Sequence, residues 1–175
     1  AAALLCDRFQ PAEIYILGVA GAYPHSGLDI GDIAVADREI YGDEGLMTYD
    51  GLMTMDTLGL PLASGDSFIA YNEFPVFTPP ELKKHKNIGT FVTVSSCTGI
   101  LETGLKLEKR FASICENMEG AAIAHIGLIN NIRVIEIRGI SNIIGDRNGK
   151  PLEKKALALA AVSVQKFFIE IRDSV

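Results

Sequence analysis

Three short apolar runs in this chain end in the same way, and that shared ending constrains the fold more than any other feature. Glu13-Ile14-Tyr15-Ile16-Leu17 gives way to Gly18-Val19-Ala20-Gly21-Ala22, Phe91-Val92-Thr93-Val94 to Ser95-Ser96-Cys97-Thr98-Gly99, and Ile132–Ile137 to Arg138-Gly139-Ile140-Ser141-Asn142. Runs of this length, closed by glycine or small polar residues, read as buried strands. Helical patterns alternate with them. Leu101, Leu105, Leu107 and Phe111 outline an amphipathic helix, Glu119 to Ile129 is apolar nearly all round, and a last helix runs from Pro151, at its first position, to about Ile171. Strands alternating with helices predict an α/β sandwich with a largely parallel central sheet. In such a sheet the three endings share the carboxyl edge, where ligands bind.

The remaining segments fit around this frame. Ala1 to Phe9 reads as the later turns of a helix already under way, with no initiator Met and no N-cap, so the chain is expected to be a truncation. Asp32 to Tyr41 reads as a second strand. From Gly42 to about Ser67 the sequence is turn-rich and carries Met47, Met53 and Met55, which predicts one long loop. Phe68 to Pro75 is extended, Pro79-Pro80 open a brief helix, and a short strand falls around Ala112 to Cys115. With no internal repeat or linker, residues 1–175 read as a single domain.

Composition narrows the function. The 48% hydrophobic content suits one buried core, and a net charge of -6 with scattered basic residues argues against a nucleic-acid partner. Lys83-Lys84-His85-Lys86 reads as a solvated turn. Cys6, Cys97 and Cys115 have no C-x-x-C spacing, which argues against a zinc site or a disulfide framework and fits a reducing cytoplasm. No apolar run reaches the roughly 18 residues of a membrane span, so no membrane partner is expected.

Two polar side chains stand out against this background. Asn142 sits at a strand end, and Glu119 opens a helix whose macrodipole favours a carboxylate by about 0.3 to 1 kcal/mol. Glu119 either faces the common pocket or merely caps its helix. Ser141 either orients Asn142 or forms the turn, and Arg138 is either a partner of Glu119 or an ion pair with Glu136. Cys97 lacks a visible activating partner, which makes it a poor nucleophile.

These residues resemble a known family. Glu116-Asn117-Met118-Glu119-Gly120-Ala121-Ala122-Ile123-Ala124-His125, followed by Arg138-Gly139-Ile140-Ser141-Asn142, is similar to the purine nucleosidases of the nucleoside phosphorylase superfamily. Gly18-Val19-Ala20-Gly21-Ala22, Gly31-Asp32-Ile33-Ala34-Val35-Ala36 and Tyr41-Gly42-Asp43-Glu44-Gly45 match in the same order, so the likeness spans essentially the whole chain. Within that group Asn142 resembles the futalosine hydrolases, whereas methylthioadenosine/S-adenosylhomocysteine nucleosidases carry aspartate there.

The resemblance implies a three-layer α/β sandwich with a mostly parallel, mixed central sheet, and hydrolysis of an N-glycosidic bond with no metal or organic cofactor. Its partners would be a purine nucleoside and water, and relatives commonly form homo-oligomers. Glu119 would bind the ribose hydroxyls and stabilise the oxocarbenium-like charge, as in glycoside hydrolysis. Asn142 would read the base, and Met118 would pack on the sugar or belong to the core. The wall would include Ala20, Gly21 and Ser141, with the backbone of the segment from Cys97 through Thr98 to Ile100 beside the base. Tyr41, Phe68, Tyr71 or Arg147 would contact the rest of the substrate. The resemblance places the water-activating carboxylate upstream of Ala1. Phosphorolysis needs a cationic phosphate site, and Gly18 to Ala22 offers no lysine or arginine; a nucleoside-binding protein without catalysis is the rival from another class.

Overall fold

A computed structural model of the chain describes residues 1–172. Helix α1 (Ala2–Phe9) leads into strand β1 (Glu13–Ala22). That strand does not stop at Gly18: it continues through the small residues, paired in parallel with the late strand β10 (Arg133–Ile143) from Glu13↔Arg133 to Ala22↔Ile143. β10 likewise runs on through Gly139 and Asn142 instead of ending at Ile137. Each supplies the other's backbone partners, and the ladder outweighs the low strand propensity of glycine.

Strand β2 (Ile33–Tyr41) lies where the sequence puts it. The segment read as one long loop is folded. It holds a hairpin of β3 (Gly45–Thr48) and β4 (Gly51–Thr54), a single helical turn α2 (Met55–Leu58), and a second small pair of β5 (Ala63–Gly65) and β6 (Phe68–Ala70). β7 (Glu73–Pro75) follows, and the residues after Pro79-Pro80 make turns rather than a helix. Then come β8 (Ile88–Thr93), α3 (Leu101–Phe111), β9 (Ser113–Asn117), α4 (Gly120–Asn130) and, after β10, α5 (Lys154–Arg172). Pro151 precedes α5 instead of opening it, since an early bond of this helix runs from Leu157 N–H to the Glu153 carbonyl. No helix among the described residues is long and apolar enough to cross a membrane.

The main sheet has the order β10-β1-β9-β8-β2-β7, and β2 also pairs back onto β10. The sheet is therefore mixed and partly closed on itself. Its strands run in two opposed directions, β1, β10 and β7 one way and β2, β8 and β9 the other. This corrects the picture of three endings on one parallel edge. β1 meets β9 head-on, through Gly21↔Glu116 and Ala22↔Cys115 alone, so their carboxyl ends overlap at a two-residue seam.

Helices pack on this sheet through distinct apolar clusters. Ala20, Ala22, Ala34, Ala36, Phe91, Cys115 and Ile140 meet Ala124 of α4, while Val35, Ile135 and Ile137 meet Val164 of α5. The alternation along β2 changes at Asp37, an extra residue between the pairs Ala36↔Gly89 and Arg38↔Thr90. Such a bulge inverts the side-chain parity beyond it, so the charged Glu39 turns inward and Arg38 turns out. α5 crosses β10 at Gly139, where a Cβ would collide with the backbone carbonyl of Ala160.

The Gly139 crossing generates a prediction. Gly139→Ala should push α5 off the sheet and cost about 1 to 3 kcal/mol by overpacking. For a chain of this size that is a drop in Tm of a few degrees to roughly 10 °C, measured by thermal denaturation.

Candidate active site

The site begins at the amino end of α4. Glu119 holds the N-cap position, yet its side chain makes no capping bond. Asn117 does that work: its Oδ1 accepts the N–H of Glu119 at 2.9 Å and of Gly120 at 2.7 Å. Thr93 Oγ1, from the end of β8, accepts the N–H of Ala121 at 2.7 Å. With the N–H groups of Glu119, Gly120 and Ala121 satisfied by other residues, the Glu119 carboxylate is free to face outward, its side chain 60% exposed.

Arg138 holds that carboxylate in place. Its side chain is 4% exposed, and Nη1 donates to Glu119 Oε2 at 3.0 Å while Nε donates to Glu136 Oε1 at 2.7 Å. Nη2 donates to Asn117 Oδ1 at 3.2 Å. The two partners that the sequence offered for Arg138 are both engaged at once. A guanidinium buried this deeply must be paired, and its fork geometry lets it serve two carboxylates.

Beneath Arg138 lies a pair of carboxyls that sequence patterning did not reveal. Glu39 and Glu136 are both fully buried and meet beside Gly120. Glu39 also accepts from Thr93 Oγ1 at 2.8 Å and from Asn117 Nδ2. Burial raises the pKa of both carboxyls. The charge of Glu136 raises that of Glu39 further, whereas Arg138 draws Glu136 back down. Two carboxylates in contact do not both ionise, so Glu39 is the protonated member.

This pair makes stability depend on pH. A carboxyl whose pKa rises on folding contributes stability that is complete at acid pH and is lost as pH climbs through the folded value. Glu39→Gln keeps the size of the side chain and has nothing to ionise. It is expected to melt above the parent at about pH 9 and to lose that advantage toward about pH 5, as read by thermal melting across the range.

The far end of the site is set by a second bulge. Ser141 is an extra residue between the pairs Ala20↔Ile140 and Gly21↔Asn142. Its buried hydroxyl lies 3.0 Å from Asn142 Oδ1 and 3.2 Å from the Ala20 carbonyl. The serine thus orients the asparagine. Asn142 stands opposite Gly21, where any side chain would crowd it: a Cβ there would come within 3.0 Å of Asn142 Nδ2.

Glu119 and Asn142 line one cavity of about 520 Å³, together with Ala20, Gly21, Cys97, Met118, Arg138, Ser141 and Arg147. That volume suits a small organic ligand. Met118 is half exposed, its sulfur 3.2 Å from Cys97 Sγ, so it belongs to the cavity wall rather than the core. Cys97 has no His or cation as a hydrogen-bond partner among the described residues.

Two expected wall residues lie outside the lining. Thr98 is buried and spends its N–H and hydroxyl on Glu116, both at 2.7 Å, and Ile100 faces solvent as the N-cap of α3. Of the four side chains considered for the rest of the substrate, Arg147 alone is in this cavity. Tyr41 packs on Phe74 and His125, Phe68 on the alanine-rich cluster, and Tyr71 lines a separate groove. Asn117, Thr93 and Glu39 are the supporting residues that sequence patterning missed.

Comparison with known proteins identifies a family. The phosphorylase superfamily profile matches residues 1–173. A futalosine hydrolase of Thermus thermophilus is 31% identical over 167 residues, covering 92% of this chain and 72% of its own. A 5'-methylthioadenosine/S-adenosylhomocysteine nucleosidase of Maridesulfovibrio salexigens is 29% identical over 173 residues, covering 93% and 70%. Among solved structures, the 5'-methylthioadenosine/S-adenosylhomocysteine nucleosidase of Neisseria meningitidis, in complex with methylthio-immucillin-A, superimposes with a TM-score of 0.75 at 19% identity. It covers all of this chain and 75% of the neighbour, and shows the shared fold. With the family profile matched over residues 1–173 and nucleosidases among its relatives, the chain belongs to the phosphorylase superfamily.

Proposed function

We propose that the cavity hydrolyses the N-glycosidic bond of a 6-oxopurine nucleoside, specifically futalosine, giving hypoxanthine and dehypoxanthine futalosine in menaquinone biosynthesis. One observation carries the reading: a carboxylate released from helix capping and held by Arg138 shares a cavity with an amide held by Ser141. Breaking the bond builds positive charge on the ribose. Glu119, as an anion accepting from the ribose hydroxyls, stabilises that charge. Met118 packs against the sugar, its pliable side chain fitting an irregular contour.

Asn142 supplies the base preference. With Oδ1 engaged by Ser141, the amide offers its N–H₂ as a donor for O6, and a second lone pair on Oδ1 accepts a hydrogen bond from N7–H of the released base. Adenine presents an amino group in place of O6, and pairing it requires a flipped amide that gives up both Ser141 and the N7 proton. A methylthioadenosine/S-adenosylhomocysteine nucleosidase is the second reading, favoured by the 29% identical relative.

Incubation with futalosine, inosine and methylthioadenosine, with and without phosphate, followed by chromatography of the free base, separates the alternatives. Hypoxanthine from futalosine without phosphate is the expected result. Release of base from methylthioadenosine alone would overturn the reading, phosphate dependence would indicate a phosphorylase, and tight binding without turnover a carrier of nucleosides.

Two substitutions probe the residues. Glu119→Gln is expected to lower kcat by roughly 10²- to 10³-fold, the scale of losing one electrostatic partner of a transition state, with circular dichroism unchanged. Asn142→Asp should shift the ratio of kcat/KM values toward 6-aminopurine nucleosides by about tenfold or more. An unchanged ratio would remove Asn142 from base recognition.

A further inference from the structure

Asparagine has no proton to give, so the proposed reaction leaves the departing base without a general acid. The cavity does contain a charge to offset this. Arg147 lies on the segment between β10 and α5 and lines the cavity with Asn142. Its side chain is half-buried, and its aliphatic stem packs 3.7 to 3.8 Å from where a Cβ of Gly99 would stand. The arginine stem thus lies within van der Waals reach of residue 99.

The segment is fastened in place. Arg147 N–H donates to the Gly99 carbonyl at 3.1 Å, and Asp146 Oδ1 accepts the N–H of Leu101 at 2.8 Å at the start of α3. Lys150 N–H closes a turn onto the Arg147 carbonyl at 2.9 Å. The segment is thus tied to the chain between β8 and α3 at residues 99 and 101.

The other charges of the cavity are already committed. Arg138 is locked between Glu119 and Glu136, and Glu116 accepts the Thr98 N–H and hydroxyl and faces Tyr23. The Arg147 guanidinium, by contrast, has no hydrogen bond or ion pair among the described residues. A permanent cation left unpaired in the wall of a ligand cavity is placed to meet an anion.

We propose that Arg147 is a catalytic residue that stabilises the purine as its anion while the C1′–N9 bond breaks, in place of proton donation at N7. This rests on the reading of the cavity as a 6-oxopurine nucleosidase. The bonding pair of C1′–N9 passes to N9, and the charge delocalises over the ring toward N7 and O6. Water forms the new C1′–O bond and gives up a proton, and the purine anion takes a proton from solvent after cleavage. The 6-oxo group makes the anion accessible by spreading its charge onto oxygen, so an amide with a cation suits a 6-oxopurine.

Methylation at N7 tests this, because an N7-methylated nucleoside carries its positive charge on the base from the start and departs neutral. Parent, Arg147→Ala and Arg147→Lys are assayed with futalosine and with its N7-methyl derivative. Arg147→Ala should lose about 10²-fold in kcat on futalosine, on the scale of other transition-state charge partners, and change less than about threefold on the methylated substrate. Arg147→Lys should recover part of the loss on futalosine. Equal losses on both substrates would overturn the proposal, since a residue that only shapes the loop or anchors the remote part of the substrate affects both alike. If the parent hydrolyses neither substrate, the functional reading itself fails. If it does hydrolyse them and the losses run in parallel, the inference about Arg147 fails alone.

Discussion

A guanidinium sealed from water dictates the arrangement of everything near it. Arg138 is a strand residue, so its position is fixed by the β1–β10 ladder, and its charge can be kept in the interior only if anions come to it. Glu136 meets that need from two residues earlier on the same strand, and Glu119 from the amino end of α4. The helix and the sheet are therefore joined by a charge network. Asn117 takes part in both jobs, accepting from Arg138 and from the first turn of α4.

That sharing explains how a residue at a helix start becomes available for chemistry. A carboxylate at an N-cap position ordinarily satisfies the helix's own N–H groups. Here Asn117 and Thr93 accept those bonds, and Arg138 pins the released carboxylate from the buried side. The protonated Glu39 beneath them lets a second carboxyl approach Glu136 without a second negative charge. Four polar groups from β2, β8, β9 and β10 thus support one exposed anion.

Much of this was legible in the sequence, and the gaps have physical causes. The motif around Met118-Glu119 and the Arg138 to Asn142 run located both ends of the cavity, because small and polar residues interrupting apolar strands are costly unless something binds there. The strand endings misled in another respect. Glycine and alanine at 18 to 22 look like a loop, yet a long parallel partner makes them strand. Glu39 escaped notice because alternation along β2 gives its side chain the wrong face until a one-residue bulge at Asp37 is known. Thr98 and Ile100 follow Cys97 in one segment, yet only three-dimensional register shows that the first is bonded to Glu116 and the second is turned to water. Bulges are set by backbone pairing partners far away in the chain, which a local pattern does not encode.

The seam where β1 overlaps β9 by two residues has a further consequence, for the order of events during folding. The residues on either side of it, Gly21 and Glu116, are separated by most of the chain, so bringing them together carries a large loop-closure entropy repaid by very few backbone bonds. Contacts of that kind form late. The cavity draws one wall from each side of this junction, and its lining is complete only when this two-residue pairing has closed. A chain in which this seam is open accordingly holds the ribose end and the base end of its site apart, and the emergence of ligand affinity would report the meeting of the two halves rather than the formation of either.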